Sequence, residues 1–382
     1  MDYAERTDHG VAIRRHQVAD DGQRPVARAA IGFDERFCRR ADARAANRVA
    51  DEAQHRLLQL AVRADLDGRA VGEKRLGNLS VGGSGKTPVV AALARLLLER
   101  GERPVILTRG YGRREVTEGV LVVSDGQRVR EPVSRSGDEP QLLARTLPGV
   151  PVLVCADRYI AGLFAERHFG VTVGILDDGF QHLRLERDVD LLLVSPADLD
   201  DRVLPAGRLR EPLTAARFAD AVLVPGSEDD VAQVAGALNH HNAFRVVPQY
   251  EWLRRICRVH KDPASIDPAS IGPDGRIVAF AGIARPERFF DALRSLGYDV
   301  ARELTFRDHH WYTDRDRETI ESAARAANAS MIVTTEKDAV RCDFDVAVLP
   351  MRVSIEPAHD FETWLLGRLK TCPPTPRSGE GG

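Results

Sequence analysis

Ser80-Val-Gly-Gly-Ser-Gly-Lys-Thr87, followed by Pro88 and a helical pattern, is the stretch on which the fold turns. Its glycines let the backbone aim several N–H groups at one phosphate, and the positive end of the following helix adds to that attraction. Lys86 is positioned to reach the outer phosphates of a nucleotide, and the Thr87 hydroxyl to meet Mg²⁺. Ser80 stands where the common phosphate-loop pattern has Gly, while Gly82, Gly83 and Gly85 still supply the turn and Ser84 sits among them. A glycine-rich turn that only caps a helix is the other reading. Lys-Thr directly after Gly at a helix start favours the phosphate loop.

Outward from this loop, short aliphatic runs alternate with helical spacings. Val105 to Thr108, Val152 to Val154, Val171 to Leu176, Val189 to Val194 and Ala221 to Val224 read as buried strands, and Pro88 to Leu98 and Asp157 to Arg167 as helices. This is the βαβ pattern of a mainly parallel sheet with helices on both faces, so the expected fold class is α/β and phosphate-loop NTPase-like, with a second, smaller α/β domain. That domain begins near Ile277, continues through the helical run Pro286 to Leu296, and includes strands at Met331 to Thr334 and Val346 to Leu349. The expected divisions are 1–72, a divergent and weakly ordered region; 73–250, the phosphate-loop domain; 251–370, the smaller domain; and 371–382, a disordered tail. Glu52 to Leu66 reads as a short amphipathic helix, and 226–275 as the connection between domains. The strand that should lead into the loop is poorly encoded, because Val71 to Asn78 contains Glu73, Lys74 and Arg75.

Composition excludes several classes of function. The 54 basic and 57 acidic residues leave a net charge of −3, which argues against nucleic acid as a partner. The five cysteines are scattered and form no CxxC pair, which argues against a disulfide framework or zinc knuckle and fits a reducing cytosol. No apolar run reaches the roughly 18 residues of a membrane span, and the first ten residues lack a signal-peptide pattern.

Chemistry-bearing clusters fall at the expected strand ends. Asp177 and Asp178 follow the Val171 to Leu176 run, where carboxylates hold Mg²⁺ against phosphate oxygens; a plain turn is the alternative. Asp138, in Gly137-Asp-Glu-Pro140, is either a helix N-cap or the carboxylate that phosphoryl transfer to an alcohol requires. Arg109 lies beyond Val105 to Thr108, and His309 and His310 sit in Phe306 to Tyr312 beside Asp308, as an active-site loop, a surface turn or metal ligands. Thr335 to Asp338 and Arg208 to Pro212, taken alone, read as solvated loops.

In chain order, GNLSVGGSGKTP (77–88), TRGYG (108–112), GDEP (137–140), DDGFQH (177–182), LPAGRLREP (204–212), AGIARPERFF (281–290), FRDHHWY (306–312) and TEKDAV (335–340) resemble the tetraacyldisaccharide 4'-kinases of lipid A biosynthesis. The resemblance covers about 77–369 and includes the Ser at the first loop position. It implies transfer of the γ-phosphate of ATP, with Mg²⁺, to the 4'-hydroxyl of a tetraacylated glucosamine disaccharide 1-phosphate. It further implies peripheral contact with the cytoplasmic face of the inner membrane. By similarity, Lys86 and the loop backbone bind ATP, Thr87, Asp177 and Asp178 hold Mg²⁺, and Glu211 supports the metal and phosphate region. Asp138 accepts the hydroxyl proton with His309 as its partner, and Arg109 and Gln181 lie near substrate or phosphate. Members of the family usually carry an apolar N-terminal segment and an apolar first strand, and residues 1–76 show neither clearly. Two alternatives follow from that departure: a phosphate-loop kinase or ATPase acting on another small acceptor, and a nucleotide-binding homologue with impaired catalysis.

Overall fold

The computed structural model describes residues 58–59, 85–177, 188–256, 266–271 and 275–370. Three sheets carry the architecture. The first has the order β1-β5-β2-β4-β3, built from β1 (Leu58–Gln59), β2 (Pro104–Thr108), β3 (Leu121–Asp125), β4 (Pro151–Val154) and β5 (Val173–Leu176). All pairs are parallel except β3 with β4. Every residue of β2, β4 and β5 is buried, which is why these strands read as unbroken apolar runs rather than alternating ones.

Helix α1 (Lys86–Glu99) packs on this sheet through Val89, Val90, Leu93, Ala94 and Leu97. The short α2 (Val133–Ser136) and α3 (Asp138–Thr146) follow β3, and α4 (Arg158–Phe169) links β4 to β5. Asp157 caps α4 by accepting from the backbone of Tyr159 and Ile160, and Gly170 ends it in the left-handed conformation.

The second sheet runs β6 (Leu191–Leu193), β7 (Ala221–Pro225), β8 (Ala243–Tyr250), all parallel, and is closed by antiparallel β15 (Met351–Glu356). Between β6 and β7 lie α5 (Pro196–Leu199) and a 3₁₀ helix (Leu213–Phe218); α6 (Glu228–Leu238) joins β7 to β8. The third sheet has the order β10-β9-β14-β13-β11-β12, from β9 (Leu253–Ile256), β10 (Ile266–Ile271), β11 (Arg276–Ala281), β12 (Asp299–Thr305), β13 (Met331–Thr335) and β14 (Val346–Leu349). Its β14, β13, β11 and β12 are mutually parallel. Helices α7 (Pro286–Ser295), α8 (Asp314–Ala326) and the one-turn α9 (Glu336–Ala339) connect them, and α10 (Ala358–Lys370) ends the described chain.

Three features depart from expectation. Leu58 and Gln59, inside the span expected to be helical, form a parallel strand against Val173 and Gly174. Pairing along the β5 edge satisfies backbone groups there, and that gain outweighs a weak local helical pattern. The 226–275 stretch is not merely connecting: Ser227 and Asp230 form a capping box that starts α6, and β8 and β9 follow. Residues 351–370, inside the expected second-domain span, contribute Ile355, Phe361 and Leu365 to the core that holds Val89, Ile106 and Ile175. Phe361 meets Phe244 edge to face at 5.0 Å, an apolar anchor that fixes the return of the chain. The expected strand at 71–78, the N-terminal region apart from β1 and the tail 371–382 lie outside the described residues. No helix among the described residues is long and apolar enough to cross a membrane.

Candidate active site

The parallel strands of the first sheet end at one edge. Thr108 leads there into Arg109, Val154 into Cys155, and Leu176 into Asp177, whose backbone N–H donates to the Leu107 carbonyl at 3.0 Å. Ligands of open α/β sheets bind at this edge. Asp177 is buried there, and Arg109 is exposed.

Lys86 and Thr87 open α1, with Gly85 as its N-cap at φ 82. Only glycine takes that left-handed conformation without strain. Among the described residues no side chain caps the helix, and its first turn contains no acidic residue, an arrangement that suits an anion at the helix start. Ser80, Gly82, Gly83, Ser84, Asp178 and Gln181 lie outside the described residues. Glu211 is half-buried just ahead of the 3₁₀ helix, and its neighbour Leu209 anchors the segment in the core beneath β6 and β7.

Three separate loops converge beside this edge. The Thr108 to Gly112 loop packs on Gly137: a Cβ on Gly110 would lie 2.8 Å from the Ser136 carbonyl oxygen, and one on Gly137 would lie 2.8 Å from that of Tyr111. Both glycines have positive φ, so the close approach and the backbone conformation each demand glycine. Gly137 sits directly before Asp138. Gly137→Ala is therefore expected to displace Asp138, lowering kcat by about tenfold to a hundredfold and stability by about 1–3 kcal/mol. Steady-state rates and denaturant unfolding measure the two effects.

The third loop delivers His309 from the opposite side. His309 Nδ1 lies 2.9 Å from Asp138 Oδ2, an ion-pair distance that suits the tautomer with its proton on Nδ1. His309 is left-handed at φ 59, an uncommon conformation for a non-glycine residue. Its backbone N–H is held there by the Gly282 carbonyl at 3.2 Å and by Asp308 Oδ1 at 3.0 Å.

Around the pair stand residues not singled out from sequence. Lys337 Nζ is 2.7 Å from Glu139 Oε1, 3.7 Å from Asp138 Oδ2 and 3.8 Å from Asp308 Oδ1. Arg341 Nη1 is 3.2 Å from Asp138 Oδ2. Burial alone would raise the Asp138 carboxyl, but bonding to His309 and Glu139 and the charges of Lys337 and Arg341 hold it well below the ordinary carboxylate range. The hydrogen bond to Asp138 raises His309. Burial and the neighbouring Asp138 push Glu139 up to about 7. Asp138, Glu139 and His309 present ligand atoms within 4.8 Å of one another, a spacing a metal ion could use. The cation they surround is the Lys337 ammonium.

Thr335 to Asp338 is thus not a solvated loop. Thr335 caps α9 by accepting from the Asp338 N–H, and Asp338 is wholly buried. The available signal was Thr-x-x-Asp, a capping pattern, directly after a buried strand.

A helix opening on Gly-Lys-Thr, a parallel sheet with a buried carboxylate at the end of β5, and an acid–histidine pair brought together from two loops are the features of a phosphate-loop phosphotransferase. The family model described as Tetraacyldisaccharide-1-P 4'-kinase matches residues 75–370. A tetraacyldisaccharide 4'-kinase of Koribacter versatilis is 45% identical over 69% of this chain and 76% of its own, and one from Geobacter metallireducens is 44% identical over 70% and 77%. The crystal structure of LpxK from Aquifex aeolicus in complex with ATP superposes with a TM-score of 0.62 at 31% identity, covering 85% of this chain and 94% of that one. The chain belongs to the tetraacyldisaccharide-1-phosphate 4'-kinase family, and the resemblance read from its eight motifs is borne out.

Proposed function

We propose that the chain transfers the γ-phosphate of ATP to the 4'-hydroxyl of a tetraacylated glucosamine disaccharide 1-phosphate, with Asp138 and His309 taking the hydroxyl proton. The 2.9 Å contact between these two side chains, brought together from separate loops, carries this reading. Asp138 alone is a weak base because its proton affinity is depressed, while His309 beside it has a raised affinity. The proton therefore belongs to the pair rather than to either residue.

The uncapped, acid-free first turn of α1 and the buried carboxylate at the end of β5 fit a nucleotide phosphate and a hard cation. Lys86, Gly85 and the preceding Ser80, Gly82, Gly83 and Ser84 would hold the phosphates. Thr87, Asp177 and Asp178 would hold Mg²⁺, with Glu211 supporting them. When bound, the cation neutralises charge on the phosphate oxygens. Arg109 and Gln181 would lie near substrate or phosphate. As the pair takes the proton, the sugar oxygen bonds to the γ-phosphorus and the bond to the ADP oxygen breaks.

The acceptor is a lipid, and a place at the cytoplasmic face of the inner membrane follows from its chemistry. Tyr111, 79% exposed, offers apolar surface close to His309, whose ring lies 6.2 Å away, and Val116 is equally exposed a few residues on. The domain division we favour is a phosphate-loop body of 73–250 completed by 351–370, and a smaller α/β body between them. With purified protein, ATP, Mg²⁺ and the disaccharide 1-phosphate, mass spectrometry and phosphorus NMR should find one added phosphate, on the 4' oxygen. Phosphorylation only of a soluble acceptor would reject the lipid assignment.

A further inference from the structure

Arg341 is almost wholly buried, with 1% of its side chain exposed, and its guanidinium spans two carboxylates that belong to different sheets' connections. Nη1 faces Asp138 Oδ2 at 3.2 Å, and Nη2 pairs with Asp338 Oδ1 at 2.5 Å and donates to the Gly282 carbonyl at 3.4 Å. A buried ion is costly unless its partners are fixed. Asp338 is fixed on every side. Its Oδ1 also accepts from the Tyr312 hydroxyl at 3.0 Å, and its Oδ2 accepts from the Gly282 N–H at 3.0 Å and the Thr335 hydroxyl at 2.7 Å. Gly282 is the same residue whose carbonyl holds the His309 backbone. One network thus anchors the turn carrying His309 and aims a cation at the oxygen of Asp138 that His309 touches.

Resting on the reading above, we propose that Arg341, locked by Asp338, is a positioning residue that lowers the proton affinity of the Asp138–His309 pair. The groups facing that pair are Glu139 on its own helix, Asp308 and the Tyr111 ring from the two adjoining loops, Lys337 and Asp338 from α9, and Arg341. Lys337 is shared between Glu139 at 2.7 Å and His309 Nε2 at 3.4 Å and stands 3.7 Å from Asp138, whereas Arg341 at 3.2 Å is the nearer cation to the carboxylate itself. Removing it leaves two buried carboxylates less compensated. The protonated form of the pair is then favoured, and every apparent pKa of the pair moves up.

The test compares full-length wild type with Arg341→Met and Arg341→Lys. One readout is the His309 imidazole titration by NMR, and the other is the pH profile of kcat/KM with ATP, Mg²⁺ and the lipid acceptor. In Arg341→Met the His309 titration should rise by about one unit, and the acid limb of kcat/KM should move by the same amount. Below that limb the variant is then about tenfold slower, and the deficit closes as the pH rises past it. In Arg341→Lys a point charge replaces the two-carboxylate fork, and a smaller rise is expected, about half a unit. A His309 titration unchanged in both variants overturns the proposal. If Arg341→Met does not fold, Arg341→Lys decides alone, by a rise or its absence. A titration shift in a protein that does not phosphorylate the lipid would uphold the role of Arg341 while rejecting the substrate assignment.

Discussion

Asp138→Asn is expected to lower kcat by about 10³-fold, within the range for loss of a positioned base. ATP affinity should stay within about threefold of wild type, because no part of α1 or the β5 carboxylate end is touched. Asn is close in shape but cannot receive the proton. It also withdraws the charge that fixes His309 in the Nδ1–H tautomer and that balances Arg341 at 3.2 Å and Lys337 at 3.7 Å. Residual activity should be insensitive to pH across the histidine range. Equal turnover in wild type and variant would remove Asp138 from the chemistry, whatever the product.

Lys86→Met is expected to reduce kcat/KM for ATP by about 10³-fold. Lys86 begins a helix whose first turn has neither an acidic residue nor a side-chain cap, a setting that suits a lysine acting on phosphate. Methionine keeps the length and the helix propensity, so folding should be unaffected. Equilibrium nucleotide binding and single-turnover rates separate the two contributions. A loss confined to binding would mean that the lysine acts equally on ground and transition states.

Strands β2, β4 and β5 were legible because every residue in them is buried and each therefore reads as an uninterrupted apolar run, Val105 to Thr108 above all. Helix α1 was legible from the Gly-Lys-Thr start and the 3.6-residue apolar spacing behind it. The Asp138–His309 partnership came from the family resemblance. No local pattern joins two residues that far apart in the chain, and only folding of the third sheet beside α3 makes them neighbours. Lys337 and Arg341 were missed for the same reason, since a cation in a charged run looks solvated until a distant carboxylate closes over it. Residues 351–370 pack in the core of Val89 and Ile106 through contacts such as Phe361 on Phe244, a tertiary arrangement that chain order does not reveal. Leu58 and Gln59 adopt strand through pairing with β5, a tertiary cause that no helical periodicity could reveal.

In the proposed reaction the Asp138–His309 pair accepts the proton of the attacking hydroxyl. The most direct test of this step sets the His309 imidazole titration of the free, full-length protein beside the acid limb of kcat/KM. The two should coincide, above the ordinary histidine value of 6.5, and the limb should vanish in His309→Asn. An acid limb at an unrelated pH that survives this substitution would contradict the account.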